Sequence, residues 1–160
     1  MKKSFLFSAI VLLFSSLSFA GPLPTCMDKQ KNLDFNEAQV IDWIYSSKKK
    51  FMSRAFVRGI LVNVLEDRQN HTHFEVDLDH DLRTTHDRIE IVYNVKFGPL
   101  PKYEFGDEVI ACGDYITDPY SPVGAIIHWV HFAPKKTHDH GFLIIGGKLL
   151  GQKILPQDIR

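Results

Sequence analysis

The sequence predicts a mainly β domain that carries one helix. Three observations support this fold class. From Phe51 onward, apolar and polar residues alternate with the period of two that is typical of strands. One segment before Phe51 has helical spacing instead. Near the end of the chain, Gly146-Gly147 separates two short apolar runs, residues 142–145 and 148–150, which indicates a C-terminal hairpin.

Residues 1–20, MKKSFLFSAIVLLFSSLSFA, have the pattern of a signal peptide. Lys2 and Lys3 form its positive start, residues 5–14 its apolar centre, and Ser18-Phe19-Ala20 a small-x-small cleavage site. The apolar run is too short to span a bilayer well. The sequence therefore predicts cleavage after Ala20 and a periplasmic or secreted protein.

Residues 21–35, with Pro22 and Pro24, are predicted to form an extended leader before a single domain at 36–160. The helix is expected to begin at Asn36, a residue type that favours the N-cap position. Its apolar face is predicted from residues at helical spacing, Val40, Ile41, Ile44 and Tyr45. Its basic end is predicted from the lysines at 48–50. The lysine run is interpreted as a solvated helix end and not as a binding patch.

Five strands are predicted, at residues 55–65, 73–80, 89–97, 107–116 and 125–133. Gly59 interrupts the first, where a bend or bulge is expected. Five strands, one bend and one helix best match a small five-stranded antiparallel barrel of the oligonucleotide/oligosaccharide-binding (OB) type. A β-sandwich is the alternative architecture.

The charge balance excludes some classes of partner. The chain has 19 Lys and Arg against 19 Asp and Glu, and cleavage would remove two of the lysines. Such a balance disfavours nonspecific nucleic-acid binding, which needs a basic surface. After signal cleavage no segment approaches transmembrane length, so no membrane insertion is expected. GxSxG, Walker, HExxH and CxxC motifs are absent from the sequence.

The two cysteines, Cys26 and Cys112, would reach an oxidising compartment after export. A disulfide between them would close a long loop and contribute roughly 4 kcal/mol in the chain-entropy model. In the alternative, Cys112 is a small buried strand residue and Cys26 a free thiol. The sequence does not decide between these, because it carries no geometry.

The stretch GAIIHWVHFAPKKTHDHGF, residues 124–142, holds four of the eight histidines. On a regular strand, His128 faces one way while Trp129 and His131 face the other. We expect His128 to point into the barrel wall as a hydrogen-bonded core residue. Pro134 ends the strand, and the following loop is predicted to turn His138 back toward His131. An ordinary core or surface role is the alternative for each histidine.

A second polar group lies on the predicted second strand. Histidines and carboxylates share one face there by parity, and these ligand types suit zinc or another divalent ion. The polar side of a half-exposed antiparallel strand is the alternative interpretation. The residues of this face are His71, His73, Glu75, Asp77 and Asp79.

The chain from Arg54 to Gly151 resembles a family of small exported bacterial proteins that carry a domain of unknown function. Its members read G-x-V-H-W-T-H-H-D-P-x-G-R-H-x-x-G-W near the end, R-H-Q-x-F on an earlier strand and I-A-H-N-I-x-x-A-P centrally. The positions of this sequence that match are His71, Phe74, Asn94, Pro99, Gly106, Asp107, Gly113, Tyr115, Gly124, His128, Trp129, His131, Pro134, His138 and Gly141.

Three departures from the family pattern weaken an enzymatic reading. Tyr93 stands where the pattern has His, Phe132-Ala133 replaces a His-Asp pair, and Thr137 replaces an Arg. The resemblance implies an OB-type barrel and a marked set of residues, but no reaction. It favours three histidines and Asn94 over the unmatched His73, His80, His86 and His140.

We therefore predict one concave patch that binds a small neutral or glycan-like ligand, formed by His71, Asn94, Trp129, His131 and His138. Of these, His71, His131 and His138 are the candidate ligands for a divalent metal such as zinc. Two other functions stay open: a structural or partner-binding envelope protein, and a hydrolase of phosphodiesters or glycans. In the hydrolase, His71 or His131 would act as general base, oriented by Asp107, Asp114 or Asp139.

Overall fold

A computed structural model describes residues 21–46, 49–135 and 138–152. The mainly β class with one helix is confirmed, while the predicted signal peptide lies outside the described residues. The helix is α1 (Glu37–Ser46), and a 3-10 helix covers Val95–Phe97. The strands are β1 (Cys26–Asp28), β2 (Lys31–Leu33), β3 (Met52–Arg68), β4 (His71–Asp77), β5 (Arg88–Asn94), β6 (Glu108–Thr117), β7 (Ala125–His128), β8 (Phe142–Ile145) and β9 (Lys148–Leu150).

Seven strands form one mixed sheet in the order β3-β4-β5-β7-β6-β8-β9. The long strand β3 pairs with β6 through residues 52–60 and with β4 through residues 60–68, so the pairings return to β3. The predicted all-antiparallel arrangement is wrong at one pair, because β5 and β7 run parallel.

Gly59 lies where β3 changes partner from β6 to β4. A Cβ added there would lie 2.3 Å from the carbonyl oxygen of Asp77, so glycine permits the close approach of β4. The register irregularities expected near this glycine fall slightly later, between Leu61 and Asn63 and between Val64 and Glu66. These irregularities let the long strand β3 pair with both β6 and β4.

The core fills the space inside these strands with inward-facing side chains. Phe74, Ile91, Tyr115 and Ile127 are all fully buried. Tyr93, at the position where the resembling family has His, is buried as well, and its hydroxyl donates to the carbonyl of Gly98 at 2.9 Å. Burial raises the pKa of Tyr93 to about 12, which removes it from acid–base chemistry at neutral pH.

Within the predicted extended leader, residues 26–33 form the hairpin β1–β2. Lys29 and Gln30 have φ of 47° and 71°, the conformation that a two-residue hairpin turn requires. Cys26 and Cys112 form a disulfide with a Cα–Cα distance of 5.7 Å, and it joins this hairpin to β6. A leader that sequence composition marks as extended is thus attached to the sheet.

Asn36 takes the predicted N-cap position of α1, and its carbonyl accepts from the N–H of Val40 at 3.0 Å, but its side chain binds β3 instead of the helix. Its side chain accepts from the backbone N–H of Phe56 at 2.8 Å and donates to the carbonyl of Arg54 at 3.3 Å. Asn36 therefore ties the helix to β3. Val40 is fully buried, and Trp43 packs against Tyr115, with 5.3 Å between ring centroids.

Three predicted strands end earlier than expected. The second stops at Asp77, three residues before its predicted end. The third stops at Asn94, where the 3-10 helix begins, and the fifth stops at His128 because Trp129 has a φ of 53°. The C-terminal hairpin lies at the predicted residues. Within the described ranges, none of the helices combines the length and the apolar character that crossing a bilayer requires.

Candidate functional site

The outward faces of β4, β5 and β7 enclose a depression of about 270 Å³, which we call the trough. Alternate residues of each strand reach it, because their neighbours Thr72, Ile91 and Ile127 point into the core. The turn before β4 and the loop after β6 close its rim. Its lining comprises Gln69, His71, His73, Glu90, Val92, Asp118, Ile126 and His128.

His71 begins β4 directly after a tight turn. Gln69 and Asn70 have φ of 52° and 66°, which is the geometry of a two-residue hairpin connection. Asn94 lies opposite His71 in the strand register. Its side-chain oxygen accepts from the N–H of Lys96 at 3.0 Å and so caps the 3-10 helix. Asn94 was predicted to line the patch, but the described lining of the trough does not include it, and its side-chain oxygen caps the 3-10 helix.

Glu90 is the polar centre of the trough, and the sequence analysis did not select it. Its side chain is 6% exposed. One carboxylate oxygen contacts Nδ1 of His73, and the other accepts from the hydroxyl of Ser121 at 2.5 Å. The available signal was parity, which placed His73 and Glu90 on the polar faces of two neighbouring strands. The register that pairs those strands is not local information.

A continuous row of ring contacts leads away from the trough, and we call it the aromatic row. Centroid distances along it are 6.2, 5.0, 5.2, 5.7 and 3.6 Å. It brings together four of the five predicted patch residues and adds two rings. In order, its members are His71, His128, Trp129, His138, His131 and Phe97.

The predicted orientation of His128 is wrong. Ile127 occupies the core, and His128 lies on the outer face between His71 and Trp129. Side chains do alternate along β7, but the apolar neighbours of His128 suggested that it shares the core face. Beyond Trp129 the backbone leaves the strand, so parity no longer applies to His131, which is buried and stacked on Phe97 at 3.6 Å.

Backbone carbonyls orient three of the histidines. Nδ1 of His71, His131 and His138 lies 3.2, 2.8 and 3.0 Å from the carbonyl oxygens of Gln69, Phe132 and Asp139. Because a carbonyl only accepts, each Nδ1 carries the proton, and each neutral ring keeps its lone pair on Nε2. Metal-binding histidines are held in this way. However, these three are not among the groups of described residues whose ligand atoms lie within 4.8 Å of one another.

Burial disfavours the protonated form of two histidines in the aromatic row, His128 and His131. Burial first, and then the charges of His71 and the other neighbouring histidines, lower the pKa of His128 to about 4. Burial also lowers the pKa of His131, with the carbonyl of Phe132 opposing that shift. At neutral pH both rings are therefore uncharged. Nδ1 of His128 is buried and has no hydrogen-bond partner among the described residues.

These shifts predict acid sensitivity. An unfolded His128 binds its proton near pH 6.5, whereas the folded one does so only near pH 4, so stability falls as the pH drops through this window. The loss from His128 is at most roughly 3 kcal/mol. Urea unfolding at intervals between pH 7.5 and 4 should give a shallower pH dependence for His128→Gln than for the unmodified protein. His86→Gln, at an exposed histidine, should keep the original slope; equal slopes for all three proteins would contradict this assignment.

The three carboxylates predicted to orient a catalytic base are engaged elsewhere. Asp107 accepts from the N–H of Glu104 at 2.9 Å, Asp139 from that of Lys29 at 2.8 Å, and Asp114 pairs with Arg54 at 2.6 Å. Glu90 takes the position beside a histidine instead.

A larger cleft of about 740 Å³ lies between the β1–β2 hairpin and residues 138–140. Its central cation, Arg54, already bonds to Asp114 and to the carbonyls of Met27 and His140. His140 accepts from the N–H of Ala133 at 3.1 Å. These contacts hold the loop in place, so we assign this cleft a structural role and keep the trough as the candidate site.

One family model matches the chain, over residues 26–150, and its description is "Protein of unknown function (DUF3465)". Neither a curated protein nor a solved structure matches the chain.

Proposed function

We propose that this chain, which belongs to the DUF3465 family of proteins of unknown function, is an exported binding module that takes a small neutral, glycan-like ligand in the trough. The observation that carries the proposal is the position of the trough on β4, β5 and β7, together with its polar lining free of Lys and Arg among the described residues.

The architecture that we propose is an OB-like barrel formed by β3, β4, β5, β6 and β7. The return of the pairings to β3, through β6, supports closure. In OB barrels, ligands bind on the face of the second and third strands, between the loop that joins strands 1 and 2 and the loop that joins strands 4 and 5. The corresponding parts here are β4 and β5, the turn at Gln69 and the loop at Asp118, and all of them contribute to the trough.

The lining favours a neutral ligand with hydroxyl groups. Glu90, Asp118 and Gln69 offer hydrogen-bond acceptors, and none of the described residues that line the trough is Lys or Arg. Such a surface repels a polyanion and attracts donors such as sugar hydroxyls. Trp129 lies next to the trough in ring contact with His128 and supplies an apolar ring for stacking.

A divalent metal such as zinc would assist binding if the histidine rings moved together. The free Nε2 lone pairs of His71, His131 and His138 support this part of the proposal, since their Nδ1 atoms are already held by carbonyls. Asn94 contributes by holding the 3-10 helix beside His71.

Export follows from two features. The signal-peptide pattern at residues 1–20 predicts passage to the periplasm or beyond. The disulfide between Cys26 and Cys112 suits such an oxidising compartment.

A second candidate function is hydrolysis, favoured by the contact between His73 and Glu90. A carboxylate that holds Nδ1 of a histidine leaves Nε2 as a general base, which could act on a phosphodiester or glycan bound in the trough. This assignment moves the base from His71 or His131 to His73. A structural role is the third candidate, and His140, which holds its loop to Ala133, gives it support.

Calorimetric titration with maltotriose, cellotriose and N-acetylchitotriose tests the binding proposal. We expect at least one trisaccharide to bind, and we expect His71→Ala and Trp129→Ala to weaken that binding about tenfold or more, the size of one lost stacking contact. Phe105→Ala is the matched control, because this side chain is 68% exposed and outside the trough lining. The affinity of Phe105→Ala for the sugar should equal that of the unmodified protein.

Absence of binding to all three sugars, together with retained folding, would contradict the proposal. Sugar binding that is unchanged in both His71→Ala and Trp129→Ala would contradict the assigned location of the site. If instead the sugar or a phosphodiester such as bis(p-nitrophenyl) phosphate is cleaved, and His73→Ala stops cleavage without weakening binding, the hydrolase reading replaces simple binding.

A further inference from the structure

Three aspartates meet at the connection between β4 and β5. Asp77 is the last residue of β4, Asp79 follows two residues later, and Asp87 directly precedes β5. One carboxylate oxygen from each lies within 4.8 Å of those from the other two. Three negative charges this close repel one another unless a proton or a cation lies between them.

A second observation comes from the burial of Asp77, whose side chain is 0% exposed. Its Oδ1 accepts from the N–H of His80 at 2.9 Å, but Oδ2 is buried with no hydrogen-bond partner among the described residues. Nε of Arg88 is 3.9 Å away from Oδ2, beyond hydrogen-bond length. Arg88 thus forms an ion pair with Oδ2 but gives it no hydrogen bond. A buried carboxylate oxygen without a hydrogen bond is costly, and a bound cation would lower that cost.

The loop holds the other two carboxylates toward the same point. Asp79 accepts from the N–H of Asp81 at 2.6 Å, and the hydroxyl of Thr84 lies 3.2 Å from both oxygens of Asp87. Asp81 differs from the three, because Arg83 binds both of its oxygens at 2.7 Å. Asp81 is therefore already neutralised and serves as an internal comparison.

We propose that Asp77, Asp79 and Asp87 form a binding site for a calcium ion. Calcium is a hard cation that takes carboxylate oxygens in flexible geometry, and backbone carbonyls and water complete its coordination. Zinc prefers nitrogen and sulfur ligands, which this set does not offer. Three carboxylates near a surface loop suit an affinity of about 10⁻⁴ M, the range of extracellular calcium modules.

The calcium site is independent of the proposed ligand site. Asp77 and His71 are at opposite ends of β4, about 20 Å apart at the rise of an extended strand. Bound calcium would fix the β4–β5 connection and so hold Arg88 and Glu75 of the adjoining strands in their ion pair.

Thermal unfolding of the full exported protein, with its metal removed by chelation, tests the site. With 2 mM CaCl₂ against 2 mM EDTA we expect the melting temperature to rise by about 4 °C, and titration calorimetry to give a Kd of about 10⁻⁴ M. Asp79→Asn and Asp87→Asn should abolish the rise, while Asp81→Asn should keep it. These positions are chosen because Asp77 is buried and its replacement could prevent folding.

A melting temperature that does not respond to calcium would overturn the proposal. So would an equal rise with NaCl at the same ionic strength, or an equal loss of the rise in Asp81→Asn, because either result indicates general charge screening. If Asp79→Asn melts higher than the unmodified protein in EDTA, and calcium does not raise the melting temperature of the unmodified protein, the cluster is a source of repulsion and not a site.

Discussion

Replacement of both Cys26 and Cys112 by alanine should lower the free energy of unfolding by about 4 kcal/mol, the largest effect that we expect. The disulfide joins residues 86 positions apart, and a cross-link over that length removes much of the entropy of the unfolded chain. It also fixes the β1–β2 hairpin to β6, so its loss leaves that hairpin held by weaker contacts, such as the bond from Arg54 to the carbonyl of Met27. Alanine is chosen because both positions are buried and a serine hydroxyl would add a separate penalty.

Urea unfolding followed by circular dichroism measures the change. The reduced, unmodified protein should match the double variant to within about 1 kcal/mol, since both lack only the cross-link. Treatment of the native oxidised protein with an alkylating agent is the control and should modify no cysteine. Alkylation of two free thiols in native, exported protein would show that the bond does not form.

Replacement of Arg54 by alanine should lower the free energy of unfolding by about 3 kcal/mol, the second largest effect. The Arg54 side chain is 3% exposed, and it pairs with Asp114 at 2.6 Å. It also donates to the carbonyls of Met27 and His140. Its removal leaves a mostly buried carboxylate and two carbonyls without their donor, and the cost of that exceeds the gain from any single exposed ion pair.

Arg83→Ala is the matched control, because this arginine pairs with Asp81 while its own side chain is 89% exposed. Its replacement should cost less than about 1 kcal/mol. Asp114→Asn in the Arg54→Ala background should recover part of the lost stability, since it removes the uncompensated charge. Equal costs for the two arginine variants would show that Arg54 is not the buried centre that its contacts indicate.

Local patterns in the sequence predicted much of the fold. The C-terminal hairpin lies where Gly146-Gly147 placed it, and the helix and the five main strands exist with shifted ends. The shifts have local causes that composition does not encode. Trp129 takes a positive φ that any non-glycine residue adopts only when its surroundings stabilise it, and this ends β7 early.

The candidate site was predicted in part. His71, Trp129, His131 and His138 do lie in one row of ring contacts. The pair of His73 and Glu90 was missed, as was the outward position of His128. Each of these depends on which strand lies beside which, a question that alternation within one strand does not answer.

Alternation, turn residues and helical spacing act between neighbours in the chain, so the sequence was sufficient for the mainly β class, for most elements and for a histidine-rich region near the C-terminus. The choice of face on β7, the parallel pairing of β5 with β7 and the convergence of Asp77, Asp79 and Asp87 needed the tertiary structure. The physical reason is the separation along the chain over which each interaction acts. A strand's period depends on its own residues, whereas its register, its buried face and its partners depend on packing against segments far away in the chain.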